Sequence, residues 1–455
     1  MKLNRRLFLE NSLKTAGALA IAGPALGATS LPPYFPIDGR NPNPYNPKNN
    51  YRGLMAVMQG LTTLHTSQFV VLIESKKTYG YQVFDDKNQS YPVQVTLRET
   101  RSYSDWGIEK VFVSGLNPKG NYRLRIIDGA SGQIIDARSF KSLDTNLKSP
   151  KIMIASCMKD NNEEKREVMW DNVAESKPDI VFLIGDTCYA DNGNDGSDEG
   201  YWRRYTETRS LLSHFRQKEL IPTLAVWDDH DFGGNNYDGT FAKKEMTKQL
   251  FNTFWGNIPQ EGTLIKGPGV AQIFKAFGQR FFMMDSRYYR SPREVSNPVH
   301  WGPIQEEFLF ENLSQSKSPA WLMNGSQFFG GYLKKDAFEY WQIKNLQSVC
   351  ARLAKQEAPV VFASGDVHFS EYMRIEPQIL GYQTFEITSS SIHSTTFPLN
   401  HRREKNPRRI DASSAHQFTN VITTVDPTTG WTLNAQSFKA GLKETFSANM
   451  VVKRG

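Results

Sequence analysis

Residues 178–191 read Pro178-Asp179-Ile180-Val181-Phe182-Leu183-Ile184-Gly185-Asp186-Thr187-Cys188-Tyr189-Ala190-Asp191, an apolar run that stops at a glycine and an acidic turn. A run without alternation suits a strand in a sheet covered on both faces. Three other stretches share this form. Lys151-Ile152-Met153-Ile154-Ala155-Ser156 leads into Cys157, Ile221-Pro222-Thr223-Leu224-Ala225-Val226-Trp227 into Asp228-Asp229-His230-Asp231, and Ala358-Pro359-Val360-Val361-Phe362-Ala363-Ser364-Gly365 into Asp366-Val367-His368. In such sheets ligands bind beyond the carboxyl ends of the strands. Aspartates gathered there, within an apolar frame, repel one another unless a cation neutralises them. The four clusters together predict a metal site in an α/β protein.

The residue types suggest a mixed pair of cations. Asp186 has two oxygens and can bridge two ions, and Tyr189, three residues on, can supply a phenolate. Phenolate and the Cys157 thiolate favour a transition metal, whereas Asp229, Asn235 and Asp366 offer hard oxygens that suit calcium or magnesium. His368 follows Asp366 by two positions, so in an extended segment both side chains share a face. Each piece alone has an ordinary reading: Gly-Asp as a turn, Tyr as core, His230 as a structural histidine. Their common place after strands argues for the site.

The chain has 455 residues, 39% of them hydrophobic, enough for a large core and about two domains. Asn4-Arg5-Arg6-Leu7-Phe8-Leu9 precedes an apolar stretch of 13 residues, Ala16 to Ala28. Paired arginines, an apolar segment and small residues at its end resemble a twin-arginine export signal, and the stretch is short of the ~20 residues a membrane span needs. Residues 1–28 carry a net +3, so their removal lowers the formal charge from +7 to +4. No basic stripe of the kind nucleic-acid binders carry is present. The run His401-Arg402-Arg403-Glu404-Lys405-Asn406-Pro407-Arg408-Arg409 reads as a solvated loop or as a device for steering anionic substrate. Three cysteines make a disulfide framework improbable. Cys350 falls in a helical pattern as a core thiol, Cys188 packs beneath the acidic turn, and Cys157 stands at a strand end.

Proline and asparagine fill an irregular lead-in over residues 31–50. Alternating segments such as Gln68-Phe69-Val70-Val71-Leu72-Ile73 and Tyr122-Arg123-Leu124-Arg125-Ile126-Ile127, divided by turns, then predict a small β-sandwich over 29–147. Gly115-Leu116-Asn117-Pro118-Lys119-Gly120-Asn121-Tyr122 resembles the late-strand signature of fibronectin-type domains. From residue 148 to 455 strands alternate with helical stretches at 163–176, 202–217, 244–255, 303–314 and 336–355, an α/β layout. Strand-like pieces at 382–388 and 421–424 would complete the sheet, partly antiparallel.

The sequence resembles the PhoD-like metallophosphatases, the alkaline phosphatase D family. The match runs through Ala155-Ser156-Cys157, residues 185–191 and 227–236, Asp285-Ser286-Arg287-Tyr288-Tyr289-Arg290, residues 305–327, and Gly365-Asp366-Val367-His368. The resemblance implies a four-layer αββα metallophosphoesterase sandwich behind the small fibronectin/Ig-like domain, with a ferric ion and a calcium ion. It implies Cys157, Asp186, Tyr189 and His368 on iron, and Asp186, Asn235 and Asp366 on calcium, with Asp229 at the bridging or second-metal position. The signal departs from the usual pattern at Asn4 and Glu10, and residues 389–396 match less clearly.

Two cations about 3.5–4 Å apart can hold a phosphoryl group and lower the pKa of a water. The expected activity is thus an exported phosphoric-ester hydrolase, acting on mono- and diesters in the periplasm or outside the cell after passage through the twin-arginine translocase. His230 is the candidate to stabilise developing charge or protonate the leaving alkoxide. Arg287 either binds a phosphate oxygen or pairs with a carboxylate such as Asp285 or Glu294. The alternatives are a dedicated phosphodiesterase of lipid headgroups or cell-wall polymers, and a non-catalytic surface binding protein whose site has decayed.

Overall fold

The computed structural model describes residues 54–454 except 162, 331–335 and 404. The expected export signal at 1–28 and the lead-in at 31–50 lie outside these residues.

The alternating segments near the start form two four-stranded antiparallel sheets. One runs in the order Val57–Thr62, Ser67–Glu74, Trp106–Val113, Val93–Glu99, and the other Ser90–Tyr91, Tyr79–Asp85, Asn121–Asp128, Ile134–Lys141. Apolar side chains at every second position meet between them, with Phe69 of the first edge-on to Phe140 of the second at 4.9 Å. These sheets abut the rest of the protein. Lys110 Nζ donates to the carbonyls of Asn252 and Gly256 at the end of helix Lys244–Trp255, and Trp202 Nε1 donates to Trp106 O.

The remainder is mixed α/β with two larger sheets. A six-stranded sheet has the order Thr223–Val226, Ile180–Ile184, Lys151–Ala155, Phe418–Asp426, Gly430–Lys439, Lys443–Val452. Its first three strands are parallel, and the last three join them antiparallel. An eight-stranded sheet places Gln279–Met283, Ala320–Met323, Val360–Ser364 and Thr384–Thr388 side by side in parallel, with antiparallel strands at both edges. The two sheets share one core: Phe182 stacks on Phe281 at 4.7 Å, and Trp321 meets Trp431 edge-on at 5.4 Å. Each such side chain stabilises by roughly 1.5–3 kcal/mol on burial.

Helices Glu163–Ser176 and Lys244–Trp255 coincide with the expected spans, and Gly302–Ser314 opens one residue early. Two expectations need correction. The helix expected at 202–217 runs from Asp198 to Leu211, because Ser197 Oγ caps it by accepting the Gly200 N–H at 2.9 Å, and a separate 3-10 turn follows at Ser213–Arg216. The helix expected at 336–355 is two, Phe338–Trp341 and Ile343–Leu353. Gln342, at φ −129°, breaks them. No helix among the described residues is long and apolar enough to cross a membrane.

Candidate metal centre

The four strand-end clusters converge, but from two sheets rather than one. Cys157, Asp186 and Asp229 follow strands of the six-stranded sheet, and Asp366 and His368 follow Val360–Ser364 of the eight-stranded one. The tips meet because glycines let the backbones touch. A Cβ on Gly365 would lie 2.5 Å from Ser156 Oγ and 2.9 Å from Ile184 O, and one on Gly185 (φ +99°) 2.7 Å from Asp228 Cβ. Cys157, Asp186, Asp366 and His368 themselves have φ between +52° and +65°. Left-handed backbone at four non-glycine residues costs of order 1–3 kcal/mol each and concentrates at functional sites.

Three sets of donors result, each with its ligand atoms within 4.8 Å of one another: Cys157, Asp186 and His368; Asp186, Asp229 and His230; Asp228, Asp229 and Asp366. Asp186 links the first two and Asp229 the last two. Tyr189 closes the first set, its hydroxyl 3.3 Å from Asp186 Oδ2, 3.4 Å from His368 Nε2 and donating to Ser394 Oγ at 2.8 Å. Cys157 Sγ lies 3.5 Å from Asp186 Oδ2 and 3.2 Å from Ser390 Oγ.

Without a cation this arrangement is electrostatically overloaded. Burial, then the charge of Asp229, pushes the carboxyls of Asp186 and Asp366 well above the carboxylate range. Burial, then Asp186, does the same to the Cys157 thiol and the Tyr189 hydroxyl. One oxygen of buried Asp228, Oδ2, has no hydrogen-bond partner. A bound multivalent ion reverses each of these penalties at once, so the donor set fits metal.

Asn235 is the exposed member of the expected set. Its loop is moored to the centre through Asp229, whose carbonyl accepts the N–H groups of Gly233 and Gly234 and whose Oδ2 accepts that of Asn236 at 2.7 Å. His230 stacks on Tyr189 at 4.2 Å, and its Nδ1 lies 2.9 Å from both oxygens of Asp191. Burial opposes its ionisation, but Asp186 and Asp191 outweigh that and raise its pKa to about 10.

Arg287 is not on the open side of the site. Its guanidinium is fully buried, Nε 2.5 Å from Asp228 Oδ1 and Nη2 2.8 Å from Asp336 Oδ2 and 3.8 Å from Asp229 Oδ2. Of the two readings, contact with a phosphate oxygen gives way to ion pairing, and with different carboxylates from those expected. Asp285 instead accepts from Trp227 Nε1 and from the backbone N–H groups of Arg287 and Tyr288. Burial opposes ionisation of Asp229, but Arg287 and then His230 hold it below the usual range.

Four participants went unrecognised in the sequence. Asp191 was visible as the last residue of the 185–191 motif. Asp228 stood beside Asp229 with nothing to rank it. Asp336 has no local motif. Lys159, two residues past Cys157, sets its ammonium 5.7 Å from the centroid of the Tyr189 ring and forms no ion pair among the described residues.

The PhoD-like phosphatase family model matches residues 152–438, a span holding every residue of this centre. The chain belongs to that family. The matched span contains the candidate metal-binding groups described above, as the PhoD-like motifs quoted earlier led one to expect. No curated protein matches the chain. Solved structures with some likeness include an amylomaltase from Corynebacterium glutamicum (13% identity, TM-score 0.13, covering 30% of this chain and 21% of that one). Another is a pullulanase complexed with maltotriose from Anoxybacillus sp. LM18-11 (8% identity, TM-score 0.14, covering 68% of this chain and 62% of that one). This PhoD-like chain therefore spans less than two thirds of the length of either, and both likenesses are too slight to bear on fold or activity.

Proposed function

We propose that this protein is an exported, metal-dependent phosphoric-ester hydrolase acting on phosphate mono- and diesters. What supports the reading above all is the continuous run of three donor sets joined by Asp186 and Asp229. In this reading residues 1–28 are a twin-arginine signal and the mature protein is periplasmic or secreted. Residues 29–147 are a fibronectin/Ig-like β-sandwich and 148–455 a four-layer αββα catalytic domain.

Cys157, Asp186, Tyr189 and His368 would hold a ferric ion, since thiolate, phenolate and imidazole suit it. Asp186, Asp229 and Asp366, with the amide of Asn235, would hold calcium, for which oxygen ligands suffice. Bound there, the pair would supply charge for the phosphoryl oxygens and acidify a water.

The chain's own residues do the rest. Hydrolysis joins a water oxygen to phosphorus and breaks the bond to the leaving oxygen, which must gain a proton. His230 is held by Asp191 through Nδ1, which leaves Nε2 to donate that proton. Lys159, which lacks a carboxylate partner among the described residues, takes the phosphate contact that buried Arg287 cannot make. Arg287 is a positioning residue that opposes the burial-driven rise of the Asp228 carboxyl and helps hold Asp229 below the usual carboxylate range. The gathering of Cys157, Asp186, Asp229, Asp366 and His368 into adjoining donor sets argues against a decayed, purely binding site.

Purified protein assayed on nitrophenyl phosphate and bis-nitrophenyl phosphate tests the proposal. Turnover should vanish on exhaustive chelation and return with added calcium. Undiminished turnover in demonstrably metal-free protein would contradict it.

A further inference from the structure

A cavity of about 610 Å³ lies away from the metal centre, at the opposite ends of the strands that carry it. Pro178 and Asp179 line it just before strand Ile180–Ile184, whose far end leads to Asp186, and Pro222 lines it just before Thr223–Val226, which leads to Asp229. The eight positions from Pro178 to Asp186 span roughly 25 Å of extended chain, so a molecule held in the cavity stays clear of the donor sets. The other walls are the turn at Lys119, residues 141–144 and Leu147 where the chain leaves the small sheets, and Ala174 and Lys177 at the end of helix Glu163–Ser176. Small-molecule sites favour such junctions, and this volume falls within their usual range of about 300–1,000 Å³.

The lining has two characters. Leu143 and Leu220, which are buried, and Leu147 and Ile221, which are half-buried, give it an apolar surface. Around that surface stand four lysines against three acids, a surplus of one positive charge. Lys119 pairs with Asp144 at 3.1 Å and Lys141 with Glu219 at 2.8 Å, while Asp179 Oδ2 accepts the Lys151 N–H at 2.8 Å. The ammonium groups of Lys177 and Lys218 have no ion-pair or hydrogen-bond partner among the described residues. An apolar surface alone takes any hydrophobic body, and the uncompensated cations select its sign. We infer that this cavity is a second ligand site, separate from the metal centre, for an organic monoanion. Its apolar body rests on Leu143, Leu147 and Leu220, and its acidic group meets Lys177 and Lys218. Because the walls come from both the small sheets and the α/β part, the bound anion holds the two together and stabilises the folded chain by mass action.

Isothermal titration calorimetry of the protein as purified, at constant ionic strength, with naphthalene-1-sulfonate, 1-naphthylmethanol and 1-naphthylmethylammonium tests this. The sulfonate should bind at one site per chain, about 10-fold tighter than the neutral alcohol, with the ammonium weakest. Lys177→Ala/Lys218→Ala should bring the sulfonate down to about the affinity of the alcohol, and Lys177→Arg/Lys218→Arg should restore it. Both variants should keep the wild-type unfolding midpoint in the absence of ligand, since neither lysine has a partner to lose. Lys159→Ala, at the centre, and saturating inorganic phosphate should leave sulfonate binding unchanged. Absence of sulfonate binding, equal affinity for the three probes, or unchanged affinity in Lys177→Ala/Lys218→Ala would overturn the inference. Displacement of the sulfonate by phosphate, or its loss in Lys159→Ala, would place the anion at the metal centre and overturn it as well.

Discussion

Two buried histidines that contact Trp170 should each withdraw stability from this protein as pH falls from 7 to 5. His214 packs against the Trp170 ring at 4.6 Å with Nε2 3.0 Å from Thr223 Oγ1. Trp170 Nε1 donates to His393 Nε2 at 3.1 Å, which leaves His393 Nδ1 to donate to Lys159 O at 2.9 Å. That pattern exists only for the neutral imidazole, because a second proton on His393 would face the indole N–H. Burial pushes both pKa values down to about 3, against about 6.5 in an unfolded chain. Between these values the unfolded state binds protons that the folded state refuses, so stability is present above pH 6.5 and is lost as pH falls. At pH 5 each histidine contributes a loss of about 2 kcal/mol, together about 4 kcal/mol, a large part of the 5–15 kcal/mol typical of a folded protein. Urea denaturation at pH 7, 6 and 5 measures this against a His214→Gln/His393→Gln variant, in which other titrating groups are unchanged. The variant should be weaker at pH 7 yet lose about 4 kcal/mol less on acidification. Equal losses in the two proteins would refute the argument.

Other substitutions separate the roles at the centre. Asp186→Asn removes the charge shared by two donor sets, so metal content should drop. His230→Ala should keep its metal and lose about 10²–10³ in rate. If His230→Ala emptied the site while Asp186→Asn left it filled, His230 would be a ligand. Arg287→Met leaves Asp228 and Asp229 without their arginine, while Asp336 keeps Arg290, and should cost about 3–5 kcal/mol in denaturation experiments, whereas a change under 1 kcal/mol would mean that Asp228 and Asp229 are not ionised in the folded protein. Replacing Arg5 and Arg6 by lysine should leave folded precursor in the cytoplasm, and normal appearance of mature protein outside it would rule out the twin-arginine route.

Local signals were legible and long-range ones were not. Apolar runs ending in glycine and aspartate mark buried strands and their tips, so residues 151–155, 180–184, 223–226 and 360–364 and the clusters after them could be read directly. Nothing in a run says which sheet it joins, so the division of the centre between two sheets was invisible until the strand order was known. Arg287 was legible as a cation near the site, but its partners come from positions 228 and 336, and only the fold sets one buried charge against others far along the chain. The break at Gln342 is a backbone event inside a pattern that keeps helical spacing across it. Lys159 owes its interest to the ring beside it, that of Tyr189, which lies 30 residues away in sequence.

The central claim is that Cys157, Asp186, Tyr189 and His368 bind iron while the neighbouring oxygen donors bind calcium. Elemental analysis of the purified protein, with its visible spectrum and its activity on nitrophenyl esters taken on the same sample, tests this most directly. The account predicts roughly one iron and one calcium or more per chain and a coloured protein, since thiolate or phenolate on ferric iron gives a charge-transfer band. A colourless, iron-free protein with full activity would contradict it.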